Sequence, residues 1–171
     1  MHNKVVFRAA AALNDAGLVT LRINFRGVGQ STGQHDEGRG EREDVRAGLD
    51  YLAANYPPSQ ITLCGFSFGA RVGLEVGIED QRVRYLIGVG TPLDKYDFEF
   101  LQACRKPLLL VHGEHDEYGD LGRVKEMAAR LEKHTQVRLV IIPGAHHFFE
   151  NRLDELKTAI TTWITEQLTA A

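Results

Sequence analysis

The stretch Ile61-Thr62-Leu63-Cys64-Gly65-Phe66-Ser67-Phe68-Gly69-Ala70-Arg71-Val72-Gly73-Leu74 decides how the chain is read. Ile61 to Cys64 is a short apolar run of strand character, and from Ala70 onward the residues can continue as helix. Between them, Gly65-Phe66-Ser67-Phe68-Gly69 has the form G-x-S-x-G. A strand, a sharp turn carrying a serine and then a helix form the context that makes this string a nucleophile elbow. The flanking glycines suit a backbone turn too tight for side chains at those positions. The string alone is weak: it arises by chance in roughly a few per cent of chains this long, given glycine and serine each near ~7% of residues. Its context gives it weight.

Upstream, an Ala-rich run from His2 to Ala16 carries Val5, Val6, Ala9 and Leu13 near helical spacing, and Gly17 suits the helix end. Leu18 to Ile23 reads as a short strand, and Arg26 to Gly40 as a long glycine-rich loop. Helical pattern returns at Glu41, with Val45, Leu49 and Leu52 on one face, until Pro57-Pro58 stops it. Beyond the elbow a helix runs to about Glu79, and Val83 to Val89 is a strand broken by Gly90-Thr91-Pro92. Asp94 to Arg105 reads as a short connecting helix with aromatic residues. Pro107 to Val111, nearly all Leu and Val, fits a strand covered on both faces. Leu121, Val124, Met127, Ala128 and Leu131 mark a further helix, and Val137 to Ile142 a further strand. A last helix carries Leu153, Leu156, Ile160, Ile164 and Leu168 on one face. Alternating helices and strands with short connections predict an α/β fold, with a parallel sheet of about five strands flanked by helices, in one domain over residues 1–171.

A length of 171 residues suffices for one domain with a real core and falls short of two ordinary ones. The 43% hydrophobic and 25% charged content belongs to a folded globular chain rather than a disordered one. A net charge of −3 with both signs dispersed argues against nucleic-acid or membrane partners. No apolar run reaches the length of a membrane span, and the N-terminus lacks the apolar core of a signal peptide. Cys64 and Cys104 have no metal-like spacing, which points to a reduced, cytoplasmic setting.

In open α/β sheets, functional groups gather at the carboxyl ends of the strands. Ser67 follows the Ile61 strand, His112-Gly113-Glu114-His115-Asp116 follows the Pro107 strand, and Gly144-Ala145-His146-His147-Phe148-Phe149 follows the Val137 strand. Ser, Asp, His in that order is the α/β-hydrolase order of triad partners. Ser67 is a poor nucleophile unless a base takes its proton as it attacks. A histidine, His147 or its neighbour His146, is suited to that task because its pKa lies near working pH. Asp116 would hold the imidazole in one tautomer, with Asp94 and Asp120 as competitors for that role. The N–H of Phe68, next to the nucleophile, would be one oxyanion donor. This chemistry calls for no cofactor and no metal.

Leu21-Arg22-Ile23-Asn24-Phe25-Arg26-Gly27-Val28-Gly29-Gln30-Ser31 resembles the strand and loop of small bacterial α/β hydrolases of the dienelactone-hydrolase-like, serine esterase group. Asp36-Glu37-Gly38, Gly40-Glu41 and Asp44 resemble that group's following loop and helix start, and Gly65 to Ala70 its elbow. Gly113-Glu114-His115-Asp116 is similar to its acid loop and Gly144 to Phe149 to its histidine loop. The resemblance spans nearly the whole chain and implies a serine hydrolase acting on small-molecule esters, with the histidine just before the Phe-Phe pair, His147, as base. It also implies a departure: the chain begins at what resembles the helix after the group's third strand, so the fold would be N-terminally shortened. That third strand would lie between Leu18–Ile23 and the elbow strand, and the loop after it would supply a second oxyanion donor. Its absence leaves either direct pairing of those two segments or an open edge, and open edges invite another chain. A natural short form, a piece of a longer protein and a homodimer covering the edge are all compatible with this.

Each residue also has a plainer reading. Ser67 could be an ordinary turn serine. His112, His115, Asp116, His146 and His147 could suggest a metal site, but they lack a spacing such as H-E-x-x-H. Gly27-Val28-Gly29 follows a strand, yet the next glycine is Gly33 and no helix begins there, against dinucleotide binding. Cys64 lies too far ahead of the elbow to be its nucleophile and suits a buried apolar position. Phe148, Phe149, Tyr96, Phe98 and Phe100 suit either an acyl pocket or ordinary packing. A non-catalytic binding protein on the same fold, and a thioesterase or acyltransferase, are the alternatives to an esterase.

Overall fold

The computed structural model describes residues 3–57 and 60–170, so Pro58, half of the expected Pro57-Pro58 helix stop, lies outside the described residues. Five helices are present among them: α1 (Lys4–Asp15), α2 (Arg39–Asn55), α3 (Phe68–Glu79), α4 (Leu121–Leu131) and α5 (Leu153–Thr169). Four strands, β1 (Ile61–Phe66), β2 (Val83–Val89), β3 (Leu108–Gly113) and β4 (Val137–Ile142), pair in parallel in the order β1-β2-β3-β4. The connecting segment expected as helix from Asp94 to Arg105 is reduced to a tight 3₁₀ turn, Glu99–Ala103.

Alternation along the strands feeds two cores. Leu63, Leu108 and Leu110 face the layer of α2, α3 and α4. Tyr85, Ile87, Val89, Leu109 and Val111 face the layer of α1 and α5, around buried Trp163 and Phe149. Both faces of the sheet are covered, which is why β3 is apolar at nearly every position. This is the expected α/β architecture.

A second expected element differs. Leu18 to Ile23 is not a strand of the sheet. Its side chains alternate as a strand's would: Thr20 Oγ1 bonds Asn14 Oδ1 at 3.0 Å and Arg22 lies over the Phe7 ring, both toward α1. Leu21 and Ile23 lie against Gly48 of α2. The alternation is there without the ladder, because among the described residues no strand sits beside it. Among the described residues the sheet therefore has four strands, with β1 at one end of their order and not paired with Leu18–Ile23.

Candidate active site

The elbow forms as its glycines require. Ser67 sits between β1 and α3 at φ 55°, a left-handed conformation that a non-glycine residue adopts only under constraint. Its N–H donates to Val89 O at 2.9 Å, pinning the turn to β2. A Cβ at Gly65 would meet Gly69 O at 2.4 Å, so only glycine lets the helix return this close to the strand. Phe68 opens α3, and its N–H belongs to the first turn, whose donors have no intrahelical acceptor.

Asp116 and His147 arrive from two loops that are zipped together. His115 N–H donates to Ala145 O at 2.8 Å, Glu114 N–H to Ile142 O at 3.1 Å, and Gly144 N–H to the Glu114 carboxylate at 2.8 Å. Gly113 lies where a Cβ would meet Ala145 O at 2.5 Å, so the loops can close only around glycine. The result is a continuous chain of contacts. His147 Nε2 is 2.9 Å from Ser67 Oγ, and His147 Nδ1 lies 2.9 and 3.0 Å from the two Asp116 oxygens. An ionised Asp116 can only accept, which assigns the proton to Nδ1 and leaves the Nε2 lone pair for the Ser67 hydroxyl.

Both partners of Ser67 are buried, His147 with 2% and Asp116 with 9% of its surface exposed. Burial by itself would raise the Asp116 carboxyl. The bonds from His147 and from Tyr118 N–H, the latter at 2.9 Å, outweigh it and hold the group below its ordinary value. The imidazole is caged by rings: Phe66 with centroid 5.0 Å away, Phe148 edge-on at 5.1 Å and Tyr118 edge-on at 4.7 Å. Gly90, at φ 55°, completes the cage, since a Cβ there would stand 3.3 Å from the ring. His147 N–H also donates to Glu117 at 3.2 Å.

The rival residues are engaged elsewhere. His146 is exposed and faces Glu117 at 3.7 Å. Asp94 is bound to Arg123 and accepts from Asp120 N–H, while Asp120 caps α4 through Arg123 N–H. His112 is fully buried and its Nε2 lies 2.8 Å from Gly119 O, so the ring holds the end of the acid loop. Among the described residues no three His, Cys, Asp or Glu side chains converge to hold a metal ion. Burial pushes the Cys64 thiol up to about 12, leaving it without thiolate character. Phe149 is buried in the core, whereas Phe148 and Tyr96 are partly exposed.

The family model for an alpha/beta hydrolase domain matches residues 1–169. The chain belongs to the alpha/beta hydrolase family. A serine hydrolase homologue from Coxiella burnetii is 39% identical, with a TM-score of 0.84 over 95% of this chain and 76% of that one. A serine hydrolase without a lid from Xanthomonas campestris is 36% identical, with a TM-score of 0.88 over 98% of this chain and 75% of that one. An uncharacterized protein of Rickettsia prowazekii is 38% identical over 96% of this chain and 72% of its own length. Fold and bacterial relatives thus agree with the resemblance.

Ser67, Asp116, His147 and the Phe68 N–H, all expected at strand ends, come together at one end of the sheet. Tyr118, Glu117 and Gly90 were not anticipated. Gly90 read only as a strand breaker, although a glycine just past a strand end in this kind of sheet signals close approach to a site.

Proposed function

We propose that the chain is a serine hydrolase that cleaves short-chain carboxylic esters through an acyl-enzyme intermediate. The observation that carries this reading is the unbroken Ser67–His147–Asp116 hydrogen-bond chain, with the serine held in a strained turn. Ser67 Oγ attacks the ester carbonyl while His147 Nε2 takes its proton, and Asp116 stabilises the imidazolium. The carbonyl oxygen becomes an oxyanion against the Phe68 N–H at the head of α3. Collapse expels the alcohol, which leaves with the proton from His147. Water then attacks the acyl-serine, again losing its proton to His147, and the carboxylic acid departs as Ser67 recovers its proton. No cofactor takes part. Free Cys64 and Cys104 fit a reduced, cytoplasmic setting, and no helix among the described residues is long and apolar enough to cross a membrane.

Hydrolysis of p-nitrophenyl acetate and butyrate tests the reading. Wild-type turnover should exceed background on both, fall by about 10⁴-fold or more in Ser67→Ala and His147→Ala, and persist in His146→Ala. Equal turnover in Ser67→Ala and wild type would overturn it, and faster cleavage of acyl thioesters than of these esters would correct the substrate class.

A further inference from the structure

Behind the Asp116 carboxylate stands a second imidazole that the reaction does not use. His112, near the end of β3, is fully buried, and its Nε2 lies 2.8 Å from Gly119 O. A carbonyl oxygen can only accept, so Nε2 carries the proton. The anchor is tight. A Cβ at Gly119 would meet Thr91 O at 2.4 Å and His112 Cε1 at 3.0 Å, so glycine lets the acid loop close on the ring. The other ring nitrogen, Nδ1, is buried and has no hydrogen-bond partner among the described residues. It faces Asp116 Oδ2 at 3.9 Å, beyond hydrogen-bond distance. Two acceptors turned toward each other stand apart in this way, whereas a protonated Nδ1 closes on a carboxylate. An orphaned buried nitrogen beside a catalytic group calls for a reason.

We propose that His112 is a positioning residue for Asp116: a neutral imidazole, held by Gly119 O, that turns a lone pair to the carboxylate and keeps further donors off it. The proposal rests on the reading of Ser67, His147 and Asp116 as the catalytic chain. The Asp116 side chain has no exposed surface, and among the described residues its donors are His147 Nδ1 and Tyr118 N–H. Each donor to a carboxylate takes up part of its charge. With the His112 side closed to donors, most of the Asp116 charge is left for His147. The imidazolium that forms as Ser67 loses its proton is stabilised accordingly. A water or an amide N–H in that place would share the carboxylate and make His147 a weaker base. An apolar ring of the same size would exclude donors too, but would leave Gly119 O without its N–H. A neutral histidine meets both needs.

Nitrogen NMR of protein carrying isotope-labelled histidine tests this without any substrate. In the wild type at neutral pH, His112 should show a protonated Nε2 and an unprotonated Nδ1. His112→Gln and His112→Asn then separate support from charge. The glutamine amide reaches the place of Nε2 and keeps the bond to Gly119 O, with no polar atom beside Asp116. The asparagine amide stands at the place of Nδ1 and can donate to Oδ2. The titration midpoint of His147 should fall by about one pH unit in His112→Asn and stay within about 0.3 unit of wild type in His112→Gln. Ser67, Asp116 and Tyr118 face the His147 ring, Glu117 accepts from its N–H and faces His146, and Lys95 lies over Tyr118. None of these changes between the proteins, so a shift reports on Asp116. The acid limb of ester kcat/KM should move to lower pH with the midpoint in His112→Asn alone. A wild-type His112 protonated at Nδ1 would overturn the proposal, and so would a His147 midpoint in His112→Asn equal to that of wild type. If His112→Asn does not fold, the wild-type ring nitrogens decide. The expected NMR results without ester turnover would count against the esterase reading and leave the placement of His112 standing.

Discussion

At the residue scale the site depends on hydrogen bonds whose direction is fixed by charge. Asp116→Asn keeps the shape of the carboxylate but offers an amide that can favour the wrong imidazole tautomer. Ester turnover should then fall by about 10⁴-fold with the fold intact, read from kcat alongside circular dichroism. Gly65→Ala pushes a Cβ against Gly69 O and should destabilise by about 1–3 kcal/mol while abolishing turnover, seen together in chemical denaturation and ester assays. Ser67, Asp116 and His147 were legible in the sequence because each stands just past a strand end, where local pattern and chemistry coincide. The choice between His146 and His147 was not legible from residue type. It is decided by the fold, in which one ring enters a cage of Phe66, Tyr118, Phe148 and Gly90 and the other faces solvent.

At the element scale, the head of α2 rests on one buried carboxylate. Glu41 accepts from Asp36 N–H at 2.9 Å and Gly38 N–H at 2.8 Å, and pairs with His35 Nδ1 at 2.7 Å. Burial works to raise its carboxyl, but the backbone donors prevail and hold it below the ordinary value. Glu41→Ala should cost about 1–3 kcal/mol in urea unfolding by stripping those donors of their acceptor. This is also why α2 begins at Arg39, two residues ahead of the periodic pattern: the carboxylate three residues past the cap reaches back to it. Helix and strand positions were otherwise legible because apolar periodicity records which face is buried. Leu18–Ile23 has the strand periodicity, and its failure to join the sheet depends on a neighbour that no local pattern can report.

At the scale of the molecule, several carboxyls sit below their ordinary pKa, and they act together. Asp44 is lowered first by its bond from Arg26, and Asp80 first by its bond from Arg82. Glu75 is lowered because Arg71 and Arg42 overcome its burial, as His147 and Tyr118 do for Asp116. A carboxyl with a folded pKa below its unfolded value stabilises fully above the unfolded value, near ~4, and loses that contribution as pH falls through the folded one. Thermal stability should therefore be level from about pH 5 to 7 and fall steadily below about pH 4. A melting temperature that rises on acidification would contradict these assignments. The three-layer arrangement was legible from the order of elements.

The central claim is that Ser67 is activated by His147. Labelling with a fluorophosphonate probe tests it most directly, because the probe reacts only with a serine whose base takes its proton. The expected result is stoichiometric labelling at Ser67, absent in Ser67→Ala, slowed by about 10³-fold or more in His147→Ala and undiminished in His146→Ala. Unlabelled wild-type protein, or labelling in His147→Ala at the wild-type rate, would contradict it.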